Sequence, residues 1–252
     1  MKIPSVVGAL VLVLVSSLSV IAQSRPGLIK SIDRIATEDQ LNEWLTYYYL
    51  HPRPDLVVSA VQYMSGQGLL LKPNASTPFC IFLANVFAAN PAKVETWFEE
   101  LRTGKEDQRS ALALTLWRAN TSGSESLLKA LSKEGSAPFQ QYVNELLADN
   151  HHPDLLHNEI DKPGRLDALW AGFFATGDER YVKRIIGALP LFQEKDDVGQ
   201  MLIGGAAKWS LASNAYQHPK VMQICEAQLK ELPPDQQAVL AEVIKTARER
   251  QK

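Results

Sequence analysis

Apolar residues recur every three or four positions along most of the chain. Leu41, Trp44, Leu45 and Tyr48 form one such group, and Phe79, Phe82, Leu83, Val86 and Phe87 a second. Leu166, Leu169, Trp170, Phe173 and Phe174 form a third, and Leu240, Val243, Ile244 and Ala247 a fourth. That spacing lays each group along one face of an α-helix. Sustained two-residue alternation is missing, as are Asn-Gly and Asp-Gly hairpin turns, so no strand is predicted. The pattern is that of an all-α protein.

Polar residues mark where helices should begin. Thr37-Glu38-Asp39-Gln40, Ser122-Gly123-Ser124-Glu125 and Thr176-Gly177-Asp178-Glu179 fit the capping box, in which two side chains satisfy exposed backbone amides reciprocally. Thr77-Pro78 and Asn90-Pro91 place a capping side chain before a proline suited to the first helical position. Five times a helical pattern gives way to a short polar turn carrying Pro or Gly, and a second helical pattern follows at once. Pro54, Pro91, Gly123, Gly177 and Pro219 mark these turns, at spacings of 37, 32, 54 and 42 residues. The long interval holds an additional apolar helix, Phe139 to Leu147. Two helices of about 12 residues with their turns fill about 35 to 45 residues, the length of a helical-repeat unit. A lone helix pair cannot bury its apolar face, so the pairs are expected to stack. The final helix, Pro233 to Arg250, reads as a terminal cap.

In helix length, turn placement and aromatic positions, residues 37–250 resemble the α-solenoid families of tetratricopeptide-like, HEAT-like and Sel1-like repeats. The Trp, Leu-Gly and Tyr signature of the tetratricopeptide unit is not met in any of the five units. The stretch from Leu169 to Asp178 is similar to segments of exported bacterial helical proteins with no assigned activity. The resemblance implies about five antiparallel helix pairs in a right-handed solenoid-like array, with a closed helical bundle as the alternative packing. In an open array Cys80 and Cys225, in the second and fifth pairs, would lie too far apart to bridge.

The first 22 residues differ from the rest. Lys2 precedes an apolar core from Val6 to Val15, and Val20 and Ala22 stand where a signal peptidase selects small residues. Residues 1–22 are therefore expected to be an export signal cut after Ala22, residues 23–36 a flexible N-terminal segment, and residues 37–252 the helical domain. The 20 residues from Ile3 to Ala22 are also long enough to remain as a membrane anchor. A periplasmic or secreted location is expected, or a membrane-anchored one if the segment is retained.

Composition narrows the function classes. Without residues 1–22 the chain has 25 Lys and Arg against 28 Asp and Glu, a net charge of −3. No basic surface for nucleic acid follows from that balance. Hydrophobic residues make up 46% of the chain, enough for a substantial core. Cys80 and Cys225 fall within apolar helical patterns, where free buried thiols are expected.

Candidate chemistry is sparse. Three of the five histidines, His151, His152 and His157, share a segment with Asp154, Glu159 and Asp161. Pro153 interrupts any helix that would align two of them on zinc, so the segment reads as a polar linker. Glu125-Ser126 resembles the catalytic Glu-Ser pair of lysozyme-like transglycosylases, but Glu125 stands at a helix start and no β-rich lysozyme-like segment follows. Gly204-Gly205 lies inside a helical pattern without the Lys-Ser or Lys-Thr of a phosphate-binding loop, which suits close helix packing instead. Asn74 and Asn120 begin formal glycosylation triplets. Successive residues of a helix point about 100° apart, so Tyr47, Tyr48 and Tyr49 are not all expected to be covered. No catalytic, metal or cofactor residue is assigned. The expected role is a non-enzymatic binding or scaffold module for another protein or peptide. The alternatives are an exported hydrolase or cell-wall-active enzyme, or a membrane-tethered assembly factor.

Overall fold

In the computed structural model, residues 28–194 and 196–250 are described. The expected signal and the start of the N-terminal segment lie outside them. Twelve α-helices and no strand occur among the described residues. They are α1 (Glu38–Tyr47), α2 (Val57–Gly66), α3 (Pro73–Ala89), α4 (Pro91–Arg102), α5 (Glu106–Ala119) and α6 (Ser124–Leu131). α7 (Ala137–Ala148), α8 (Gly164–Thr176), α9 (Glu179–Ile186), α10 (Val198–Gln217), α11 (Pro219–Leu229) and α12 (Pro234–Glu249) follow. Short 3-10 turns at Leu28–Ser31, Pro54–Leu56, Leu69–Leu71 and Leu189–Gln193 fill corners between them. The all-α reading is what the structure shows.

Every member of the four apolar groups read from the sequence is buried. All five turn markers sit where one helix hands over to the next. At Gly177 the backbone enters the left-handed region (φ 68°) and closes α8 with a bond from its N–H to the Phe173 carbonyl, the conformation glycine adopts at least cost.

The capping readings fare unevenly. Thr37 forms the full box with Gln40. Ser124 is itself the first residue of α6, and its hydroxyl meets that of Thr121 at 2.7 Å, so Ser122 caps nothing. The cap of α9 is Asp178, which accepts from the Arg180 amide at 2.9 Å, while Thr176 donates back to the Gly172 carbonyl. Pro78 does not begin a helix. α3 starts five residues earlier at Pro73 and runs through it. Asn90 precedes α4 as expected, yet its side chain donates to the Val86 carbonyl of the preceding helix.

α3 is the centre of the molecule. Pro78 to Ala84 are all buried, seven residues in succession, so every face of those two turns is covered. α5 and α8 are its main neighbours. The chain leaves α3 through α4, α5, α6 and α7, crosses the linker of residues 149–163, and returns through α8 to the helix it left. From α8 the packing continues to α9, α11, α10 and α12. The helices thus pack outward from α3 in two directions rather than in chain order.

Residues 28–36, for which a flexible segment is expected, pack against this body. Ile29 and Ile35 are buried. Arg53 donates to the Ile29 carbonyl and, at 2.8 Å, to the Ile32 carbonyl, and it is held by Asp55 at 2.6 Å. Two buried apolar residues six positions apart are too sparse a signal to reveal this. Cys80 and Cys225 are both free and buried.

Candidate apolar binding pocket

One face of α1 repeats Glu38, Leu41, Asn42 and Leu45, at intervals of three and four. It fronts a pocket of about 180 Å³. Tyr63, Met64 and Gln67 close it from the end of α2, and Leu69 from the turn that follows. Ala75, Pro78, Phe79 and Phe82 form its floor on α3, and Ala171 and Phe174 its far wall on α8. Most of the lining is aliphatic or aromatic. Glu38, Asn42, Gln67 and the Tyr63 phenol supply the polar groups, and the lining holds no Lys, Arg or His. Asp39 and Glu38 act together on Tyr63, whose phenol is pushed up by burial and then by these two carboxylates. Glu38 and Asp39 also occupy the first turn of α1, where carboxylates favour the positive end of the helix dipole.

Phe174 links the pocket to a second feature. Its ring stacks on Trp170 at 5.7 Å and lies 5.3 Å from the imidazole of His218. His218, between α10 and α11, is completely buried. Tyr47, Tyr49 and Phe173 complete an aromatic surround at 5.0, 5.8 and 6.5 Å. The Tyr49 hydroxyl meets Nδ1 at 3.1 Å, and Nε2 has no hydrogen-bond partner. Burial pushes the His218 pKa down to about 4, so the ring is neutral at pH 7. Tyr48 is buried and Tyr47 and Tyr49 are half-buried, so the three are not all covered and none is fully exposed. The run ends at the junction of α1, α8 and α11, where the chain turns and each of the three finds a partial cover.

Other sequence candidates lie apart from the pocket. His151 and His157 are exposed, and each faces a nearby aspartate, at 3.6 Å to Asp149 and 2.7 Å to Asp154. His152 lies against the Trp117 ring. Among the described residues no three His, Cys, Asp or Glu side chains come together as a metal site. Glu125 is exposed on α6 and paired with Lys129 at 2.5 Å. Burial pushes the Cys80 thiol up to about 11 and the Cys225 thiol up to about 12, which leaves both protonated at neutral pH. Gly204 does serve close packing: a Cβ there would sit 2.0 Å from the backbone N of Phe192.

Two residues that the sequence left unremarked stand out. Asp167 on α8 is half-buried, and the loss of solvent alone pushes its carboxyl up to about 6. His218 was legible only as the residue before a turn proline. No pattern of neighbours signals that a histidine at a helix start will be roofed by aromatics from two distant helices.

Comparison with known proteins returns no matching family model, no matching curated protein and no matching solved structure.

Proposed function

We propose that this protein is a non-enzymatic binding module that receives one apolar side chain of a protein or peptide partner in the pocket between α1, α2, α3 and α8. The observation that carries the reading is the size and lining of that pocket. A cavity of roughly 150 Å³ lined by apolar side chains holds one benzene ring, and sites for drug-sized molecules run from about 300 Å³ upward. A pocket of about 180 Å³ therefore suits a single Leu, Met or Phe side chain. Buried anchors of that kind carry most of the energy of protein–protein contacts. Glu38 in the lining, with Asp39 next to it on α1 and acting on the lining Tyr63, favours a partner with a Lys or Arg beside its anchor.

The helical-repeat resemblance supports the same use, since stacked helix pairs commonly present binding surfaces. Residues 1–22 support a periplasmic or secreted setting for it, with tethering if they are retained. Among the described residues no helix is long and apolar enough to cross a membrane. The hydrolase reading draws less support: Asp167 and His218, the groups with pKa values displaced toward neutrality or below it, do not line the pocket.

The test is calorimetric titration with short peptides carrying Phe or Leu next to Arg, compared with the same peptides carrying Ala or Glu. Binding is expected only with an apolar anchor and is expected to weaken with Glu beside it. Ala75→Leu, which fills the pocket from α3, should abolish it while leaving helicity unchanged. Binding that is indifferent to the anchor or survives Ala75→Leu would sink the reading.

A further inference from the structure

Phe174 belongs to two environments. It forms part of the pocket's far wall, and its ring also lies 5.3 Å from the imidazole of His218. Tyr49 ties the two together. Its amide donates to the Phe174 carbonyl at 3.0 Å, and its hydroxyl meets His218 Nδ1 at 3.1 Å. Nε2 of the same ring is buried without a partner in either tautomer. If Tyr49 donates to Nδ1, Nε2 carries a proton that nothing receives. If Nδ1 donates to Tyr49, Nε2 is a bare acceptor. An added proton makes the ring a cation with an N–H on each nitrogen. The aromatic faces around it attract a cation weakly, whereas an unpaired charge held out of water costs far more.

We propose that His218 is an acid-operated latch behind the pocket: on taking up a proton its imidazole leaves the aromatic surround, Phe174 loses its backing, and the pocket releases the side chain it holds. What is released rests on the reading of the pocket as the binding site, while the movement of His218 does not. The groups around the ring leave the added charge unanswered. α1 brings Tyr47, Tyr49 and the buried Glu43 four residues before Tyr47, and exposed His51 follows in the turn. α8 brings only Phe173 and Phe174, and α10 the Asn214 carbonyl. α11 brings Lys220, 6.0 Å from the centre of the Tyr49 ring, and the start of α9 brings Asp178, held by Arg180 at 2.6 Å. None of these charges displaces the His218 pKa, which burial alone takes down to about 4. If only the neutral state is competent, Kd for an anchor rises about twofold at pH 4 and about fourfold at pH 3.5. Linkage makes the effect reciprocal, so a bound anchor must hold the proton off His218.

Benzene is the probe: it matches the cavity, and being uncharged it keeps Glu38 and Asp39 out of the comparison. Titration of the full chain, followed by NMR, should give a Kd that is level from pH 7 to 5 and then rises as above. In His218→Phe, which sets an apolar ring among the aromatics, Kd should stay level throughout. The His218 ring signals give the reciprocal measurement in the parent protein. Free benzene at three times its Kd should move their midpoint down by about 0.6 pH unit. A third measurement needs no ligand. The Tyr49 amide, bonded to the Phe174 carbonyl, should lose protection from hydrogen exchange as pH falls through 4, relative to the amides of α5, and should keep it in His218→Phe. A His218 midpoint unmoved by bound benzene, a Kd equally pH-dependent in His218→Phe, or a Tyr49 amide indifferent to pH would overturn the proposal. Benzene that does not bind at pH 7 overturns the pocket reading instead, and the latch then stands or falls on the Tyr49 amide.

Discussion

At the scale of single residues, a buried histidine and a half-buried aspartate pull stability in opposite directions as pH falls. His218 has its pKa lowered from 6.5 to about 4. Between those values the unfolded chain binds a proton that the folded chain refuses, so acidification through that window lowers stability, by up to roughly 3 kcal/mol. Asp167 behaves inversely, with its pKa raised from 3.8 to about 6. There the folded chain binds the extra proton, so acidification from pH 6 to 3.8 raises stability, by up to about 3 kcal/mol before screening by water that reaches the carboxyl. The two effects largely offset each other in the native protein. Asp167→Asn removes the second. That variant should be more stable than the parent at pH 7 and should lose stability more steeply between pH 6.5 and 4. Urea unfolding across that range measures both slopes, and parallel curves for parent and variant would contradict the assignment. The sequence showed neither group because burial of a lone Asp or His depends on what other helices bring over it. Phe173 and Phe174, which help cover His218, are more than 40 positions away in the chain.

At the scale of elements, local chemistry was legible where the partner groups are near in sequence. The Thr37 box needs only Gln40, three residues on, and it forms. Thr37→Ala should cost about 1 kcal/mol, as loss of an N-cap typically does. Serine and threonine side chains misled where a neighbouring aspartate or hydroxyl offered a better bond, as at Asp178 and Thr121. α3 misled for a different reason. Pro73 already supplies a helix-compatible first residue, and the helix tolerates Pro78 because every face of its next two turns is packed. The glycine pair in α10 gives a sharp contrast. A Cβ at Gly204 would meet the Phe192 backbone N at 2.0 Å, while one at Gly205 would meet only the Phe192 ring at 3.7 Å. Gly204→Ala should therefore force the Leu189–Gln193 turn off α10, at a cost of about 2 kcal/mol or more. Gly205→Ala should be neutral or gain up to about 1 kcal/mol from helix propensity. Equal melting temperatures for the two variants would refute the close approach.

At the scale of the whole molecule, α3 is the helix on which two arms converge. Its amides between Pro78 and Phe87 should be among the last to exchange with solvent, together with those of α5 and α8. Hydrogen exchange read by mass spectrometry after proteolysis checks this. Faster exchange in α3 than in α11 or α12 would show that the arms fold independently of the centre. The same convergence creates the pocket. α1, α2, α3 and α8 meet there, and their side chains leave a gap of about 180 Å³ where four cylinders cannot fill space. Filling it by Ala75→Leu should raise thermal stability as well as block ligand, provided the new side chain fits without overpacking. A fall in stability would show the space to be smaller than its outline.

The sequence by itself determined that the chain is helical, where most helices meet, and which face of each turns inward. Those properties depend on residues within four positions of one another and on the chemistry of Pro, Gly and the capping side chains. Only the tertiary structure decided that α8 returns to α3, that residues 28–36 are packed, that His218 is sealed among aromatics, and that a pocket remains. Each of these depends on side chains brought together from distant parts of the chain, and an amphipathic stripe says that a helix has a partner without saying which one.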